Sequence, residues 1–229
     1  MKTIGLLGGM SWESTIGYYR AINQGVKEAL GGLHSASIVL VSVDFQPLEE
    51  LQRAGDWEQI TNRLVAAARQ VEHGGANMLL ICTNTMHKVA PAIEDAIRIP
   101  LLHIADATAE VINAAGISRV GLLGTAFTME QDFYKGRLQE KFAIEVIVPE
   151  QSDRELVHGV IYQELCLGRV TDQSRREYLR IIDQLARDGA QAVILGCTEI
   201  GLLISQQDTS VKLFDTTAIH ARKAVENAL

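Results

Sequence analysis

The sequence lacks the marks of several large protein classes. Its 229 residues hold three cysteines, Cys82, Cys166 and Cys197, none in a CxxC arrangement. They make no disulfide framework and fit a reducing compartment. Positive charge is in deficit, with 21 Lys and Arg against 28 Asp and Glu and a net charge of −7. No basic stripe is present, which argues against nucleic acid or an anionic membrane as main partner. No apolar run approaches the roughly 18 residues of a membrane span. Met1-Lys2-Thr3 and the apolar run after them faintly resemble a signal peptide, but Gly8-Gly9 and Glu13 break it. The segment is read as strand, turn and helix of a cytoplasmic protein.

Chemical motifs are missing too. Gly5, Gly8 and Gly9 do not form GxGxxG, and no Walker A lysine follows a glycine loop. There is no HExxH, no GxSxG and no clustered Cys/His spacing for a metal. Metal enzymes, nucleotide enzymes and serine hydrolases are therefore poorly supported.

What is present is an ordinary globular composition, 47% apolar and 21% charged. The length allows one large domain or two small ones. Short apolar runs alternate with amphipathic stretches. Strands are expected at Thr3–Leu7, Ser37–Val43, Met78–Ile81 and Ile99–Ile104. Asp56, with Gln59 three residues later, opens a helix whose apolar face is Ile60, Leu64, Ala68 and Val71, and Gly74-Gly75 ends it. The alternation predicts parallel sheets flanked by helices.

The pattern then repeats. Ile4-Gly5-Leu6-Leu7-Gly8 reads like Val120-Gly121-Leu122-Leu123-Gly124, an offset of 116 residues. Gly75–Ile81 reads like Gly189–Leu195, an offset of 114, and Ile99–Leu102 like Val211–Phe214, an offset of 112. Three matches in one order at nearly constant offset indicate an internal duplication. The domains are expected at 1–115 and 116–229, with the last helix, about 217–229, packing back on the first.

Carried past the strand, the second match sets Thr83 opposite Cys197. Ligands of open α/β sheets sit beyond the carboxyl ends of the strands, where both residues fall. Two proton-handling groups on opposite faces of one carbon are what stereochemical inversion requires. A helix start after Cys197 would lower its thiol pKa towards neutrality. Asn84, Thr85 and Thr198 are candidate carboxylate ligands, though such residues also cap helices. Met10 in the glycine turn and Gln46 before Pro47 are further candidate contacts, each equally at home in a turn. Glu199 could support Cys197 or bind an ammonium group. His87 could orient a helix start or the substrate. Cys82 and Cys166 read as packing residues.

These segments resemble the aspartate/glutamate racemase family. The resemblance rests on Gly5-Leu6-Leu7-Gly8-Gly9-Met10, Thr83-Asn84-Thr85-Met86-His87 and Gly196-Cys197-Thr198-Glu199-Ile200, and covers essentially the whole chain. It implies two similar α/β domains with the active site between them, and racemisation of amino acids without pyridoxal phosphate or metal. It also implies a cysteine from each half. Here Thr83 stands where the first cysteine is expected, and Cys82 beside it points the other way along an extended strand end. Relatives that prefer aspartate often carry a lysine near Cys166, and its absence here leaves the acidic specificity open. The family pattern faces the second cysteine to the α-proton of the L enantiomer, so L substrates are expected to be favoured. Aspartate- and glutamate-type substrates lead. Broader amino-acid specificity, a malonate- or maleate-type isomerase or decarboxylase, and a non-catalytic amino-acid binder stay open. So does a homodimer.

Overall fold

A computed structural model describes residues 1–229. The chain divides into two compact units, Met1–Ile104 with His220–Leu229, and Ala105–Ile219. The boundary falls earlier than the repeat implied, at 104/105 and not 115/116. The helix Ile104–Ala114, which the repeat left with the first half, belongs to the second unit from Ala105 onward.

In the first unit the order is β1 (Ile4–Gly8), α1 (Trp12–Leu30), β2 (Ile38–Ser42), α2 (Gln46–Ala54), α3 (Trp57–His73), β3 (Met78–Ile81), a 3-10 turn (Thr85–Val89) and α4 (Ala90–Ala96). The strands form a parallel sheet in the order β2-β1-β3. The strand expected at Ile99–Ile104 shrinks to one bridge, Leu79 to Leu101, because Ile104 already starts the next helix. One face of the sheet packs Val39, Val41, Leu7 and Ile81 against Ile60, Leu64 and Val71 of α3. The other packs Ile4, Leu6 and Leu80 against Tyr18, Ile22 and Val26 of α1 and against Ala221, Ala224 and Val225. Each strand is thus apolar on both faces, as a doubly covered parallel sheet demands. The α3 start is capped as its sequence predicts: the Asp56 side chain accepts from Gln59 N at 3.0 Å.

The second unit runs through α5 (Ile104–Ala114), β4 (Arg119–Leu123), α6 (Ala126–Glu130), α7 (Asp132–Phe142), β5 (Glu145–Ile147), α8 (Gln151–Gln163), α9 (Asp172–Arg187), β6 (Ala192–Leu195), α10 (Ile200–Leu203), β7 (Lys212–Asp215) and the start of α11 (Thr216–Ala228). Its parallel sheet is ordered β5-β4-β6-β7. Register supports the duplication independently of residue identity. Ile4 pairs with Met78, and their repeat counterparts Val120 and Ala192 also pair. No helix is long and apolar enough to cross a membrane.

Candidate active site

The repeated strands end alike. Cys82 N donates to Leu7 O at 2.9 Å, and Gly196 N, its counterpart, donates to Leu123 O at 2.6 Å. Thr83 and Cys197 are each the next residue on, at the carboxyl end of a central strand pair.

In the first unit, β1 leads into Gly9, whose φ of +95° lies in the region that disfavours side chains. A Cβ there would meet Val43 O at 2.2 Å, so the turn needs glycine. Gly9 N donates to Thr15 Oγ1 at 2.8 Å, and Ser14 and Thr15 hydroxyls donate to Ser11 O, tying the turn to α1. Met10 is buried in the cluster of Leu48 and Met86. Gln46 is exposed and donates to Glu50 Oε1 at 2.9 Å. Asn84 and Thr85 are buried at the head of the 3-10 turn. Cys82 is fully buried among Tyr18, Ile22 and Val26, on the α1 face of the sheet, and burial raises its thiol pKa.

His87 uses both ring nitrogens on backbone. Nδ1–H donates to Thr83 O at 2.8 Å, and Nε2 accepts from Ile104 N at 3.3 Å. Burial and the neighbouring His103 and His220 hold its pKa well below the ordinary value, so it stays neutral. Of its two expected roles, His87 serves the backbone that carries Thr83.

In the second unit, Cys197 is 8% exposed and its thiol donates to Glu199 Oε2 at 2.8 Å. Thr198 Oγ1 donates to the same oxygen at 3.0 Å. The thiol pKa is pushed well up, first by burial, then by the Glu199 carboxylate and by Cys166. This reverses the expectation of a thiol tuned towards neutrality. The helix that follows, α10, is one turn long, and the nearest full charge is negative. Cys166 is half-buried in a 3-10 turn (Leu165–Leu167) and adds to the upward push on the Cys197 thiol. Glu164 Oε2 accepts from Ser174 Oγ at 2.7 Å and Thr171 Oγ1 at 3.2 Å, at the start of α9. No group of three or more His, Cys, Asp or Glu side chains could hold a metal ion.

The profile of the Asp/Glu/hydantoin racemase family matches residues 7–224. The chain belongs to this family. It is an amino-acid racemase. Among solved structures it is similar to a Yersinia pestis protein assigned as an Asp/Glu racemase. Identity there is 58%, covering 100% of this chain and 99% of that one, at a TM-score of 0.92. It is also similar to an aspartate racemase homologue from Pyrococcus horikoshii, at 36% identity, 100% and 99% coverage and a TM-score of 0.85. A broad specificity amino-acid racemase of Bacillus subtilis is 19% identical over 99% of this chain and 98% of its own length.

Three residues of this racemase escaped the sequence reading. Thr125, the repeat counterpart of Gly9, lies two residues past the end of β4, and its Oγ1 accepts from Thr128 N at 3.3 Å. His158 Nδ1 accepts from Ala126 N at 3.1 Å beside it. Carrying the first repeat match one residue past Gly124 would have reached Thr125. Gln52, on α2, is buried with neither amide atom hydrogen-bonded; a glutamine one turn after inward-facing Leu48 was its only signal.

Proposed function

We propose that this racemase acts on aspartate- and glutamate-type amino acids by direct proton transfer at the α-carbon, without pyridoxal phosphate or metal. The observation that carries the reading is the Cys197 thiol donating to Glu199 Oε2 at 2.8 Å, in the strand-end position whose repeat counterpart is Thr83. Glu199 accepts the thiol proton, and the thiolate removes the α-proton of the L enantiomer. The substrate's own ammonium, entering beside Glu199, offsets the negative charge that otherwise opposes the thiolate. The planar carbanion regains a proton on its other face, from the Thr83 side, directly or through water, and the proton held by Glu199 returns through solvent to the group that gave it. This mechanism requires both strand ends to reach the same substrate.

Asn84 and Thr85 are proposed to hold the α-carboxylate, with Thr198 and the Met10 backbone completing its contacts. Gln46, tied to Glu50 on the exposed face of α2, is assigned no part. The three free thiols fit a reducing compartment, so the reading puts the activity in the cytoplasm.

A second reading rests on Thr83 itself. A hydroxyl opposite a single thiol also suits a decarboxylase of a malonate-like acid, which needs only one proton donor. The test incubates both enantiomers of an amino-acid panel, and a set of malonates, in deuterated water with chelator and no added cofactor. Racemisation of aspartate or glutamate with one α-deuterium per turnover supports the proposal. Loss of carbon dioxide from a malonate favours the second reading, and a requirement for pyridoxal phosphate or metal refutes the first.

A further inference from the structure

His87 is buried, 2% exposed, in the 3-10 turn Thr85–Val89. Its backbone N–H donates to Asn84 O at 3.0 Å, and its ring reaches back one residue further, to Thr83 O. The Ile104 N–H can only donate, so Nε2, its acceptor at 3.3 Å, carries no proton. The proton of the neutral ring is then on Nδ1 and points at Thr83 O, 2.8 Å away. An imidazole donates from one edge and accepts at the other through a rigid ring. A side-chain amide has both groups at one end and reaches only one of these two partners.

Neighbouring rings hold this one in place. His103 lies 4.5 Å from it between ring centroids, and His220 6.1 Å. His220 is itself fixed, its Nε2–H donating to Leu102 O at 2.7 Å and its Nδ1 accepting from Tyr18 OH at 2.8 Å.

The repeat shows what the histidine link replaces. Ile99–Leu102 matches Val211–Phe214 at an offset of 112 residues, and the same offset sets Ile104 on Thr216. In the second unit the Thr216 hydroxyl donates straight to Leu195 O at 2.8 Å, two residues before Cys197. Ile104 has no hydroxyl, and its backbone N–H is joined to the strand end through the His87 ring. Each half thus ties the chain that follows its third matched segment to the strand end that presents a proton-handling side chain. The first half does so at Thr83 itself.

We propose that His87 is a positioning residue for proton return: by holding Thr83 O it fixes the group that faces the carbanion opposite Cys197. This rests on the reading of Thr83 as that group. Pinning the carbonyl sets the Thr83–Asn84 peptide plane, and with it the start of the Thr83 side chain. A misplacement of about 1 Å at a reacting group costs on the order of a hundredfold in rate. Proton removal by Cys197 does not depend on that plane.

The test follows L-aspartate and L-glutamate in deuterated water with wild type, His87→Asn, His87→Gln and Thr83→Ala. An asparagine amide falls where Nδ1 was and keeps the bond to Thr83 O. A glutamine amide falls where Nε2 was and keeps only the link to Ile104 N. His87→Gln is expected to form the D enantiomer at least about tenfold more slowly. The longer-lived carbanion is returned by Cys197 instead, so deuterium in recovered L substrate per D product is expected to rise by about the same factor. His87→Asn is expected to stay within about fivefold of the wild type on both counts. A merely structural residue would lower exchange and inversion together and would not tell the two amides apart. Either result, or a His87→Gln that inverts at the wild-type rate, would overturn the proposal. Should His87→Gln fold poorly by circular dichroism, the wild type labelled with nitrogen-15 histidine decides, with His87 assigned by the signal lost in His87→Asn. A neutral ring protonated on Nδ1 is expected at neutral pH, and a proton on Nε2 would overturn the proposal. Thr83→Ala separates the two levels. If it inverts at the wild-type rate, the reading of Thr83 fails and the role of His87 with it. If it loses inversion while His87→Gln does not, only the role of His87 fails.

Discussion

The Cys197 thiol and the Glu199 carboxylate form a donor–acceptor pair at 2.8 Å, both buried, at the carboxyl end of β6. The pair opposes two effects. Burial and the carboxylate charge keep the thiol protonated at rest, while the same carboxylate offers the proton a place to go.

Cysteine substitutions should separate sharply. Cys197→Ser is expected to lower turnover by at least about a thousandfold, since an alcohol is a far weaker base than a thiolate. Cys82→Ser, on the α1 face of the first sheet, is expected to keep turnover within about threefold of the wild type, with a modest loss of stability. Steady-state kinetics of both variants checks this. A dead Cys82→Ser beside an active Cys197→Ser would mean that the repeats are matched one residue out of step.

Glu199→Gln is expected to make the thiol more acidic and the enzyme slower. Removing the carboxylate removes a charge and an acceptor that hold the thiol pKa up. Thiolate absorbance in a Cys82→Ser, Cys166→Ser background should therefore rise at lower pH in the variant. Turnover at neutral pH should fall by about ten- to a thousandfold for want of the proton acceptor. A faster variant with a more acidic thiol would show that Glu199 only hinders.

The first unit should be sensitive to acid. His220 is fully buried between Tyr18 OH (2.8 Å) and Leu102 O (2.7 Å), and burial lowers its pKa to about 4. Its folded pKa lies below the unfolded value of about 6.5, so the unfolded chain binds the extra proton first. Stability from this group is complete above pH 6.5 and drains away as pH falls towards 4, by about 3 kcal/mol. Urea unfolding at pH 7 and pH 4.5 should show the loss, and His220→Gln should lessen it. An unchanged pH dependence in His220→Gln would assign the acid loss elsewhere, to His87 first.

Much of this was legible in the sequence because the duplication carries its own alignment. The repeat offsets put Thr83 and Cys197 in equivalent positions, and the sheet registers do the same. Capping at Asp56 followed from residue types alone. Other features depended on directions that no pattern encodes. Glu199 could as well have turned towards solvent, and its turn towards Cys197 reverses the sign of the thiol shift. The bridge at Leu101 has the apolar run of a strand, but the chain bends into α5 before a ladder can form. β5, three residues long at a sheet edge, is too short for periodicity to reveal. The domain boundary moved because a helix between two repeats can pack with either, and contacts decide which.

The central claim is that proton transfer here is asymmetric, with a thiol on one face and a hydroxyl on the other. Deuterium uptake at the α-carbon, measured from each pure enantiomer of aspartate and glutamate as an initial rate, tests it most directly. The overall equilibrium between enantiomers is unity, so the asymmetry must lie in rates, saturation or trapping of one form. The wild type should exchange the L enantiomer through Cys197 and the D enantiomer poorly, and Thr83→Cys should speed exchange from D. Equal initial exchange from L and D in the wild type, unchanged in Thr83→Cys, would contradict the account and assign the second proton to another group.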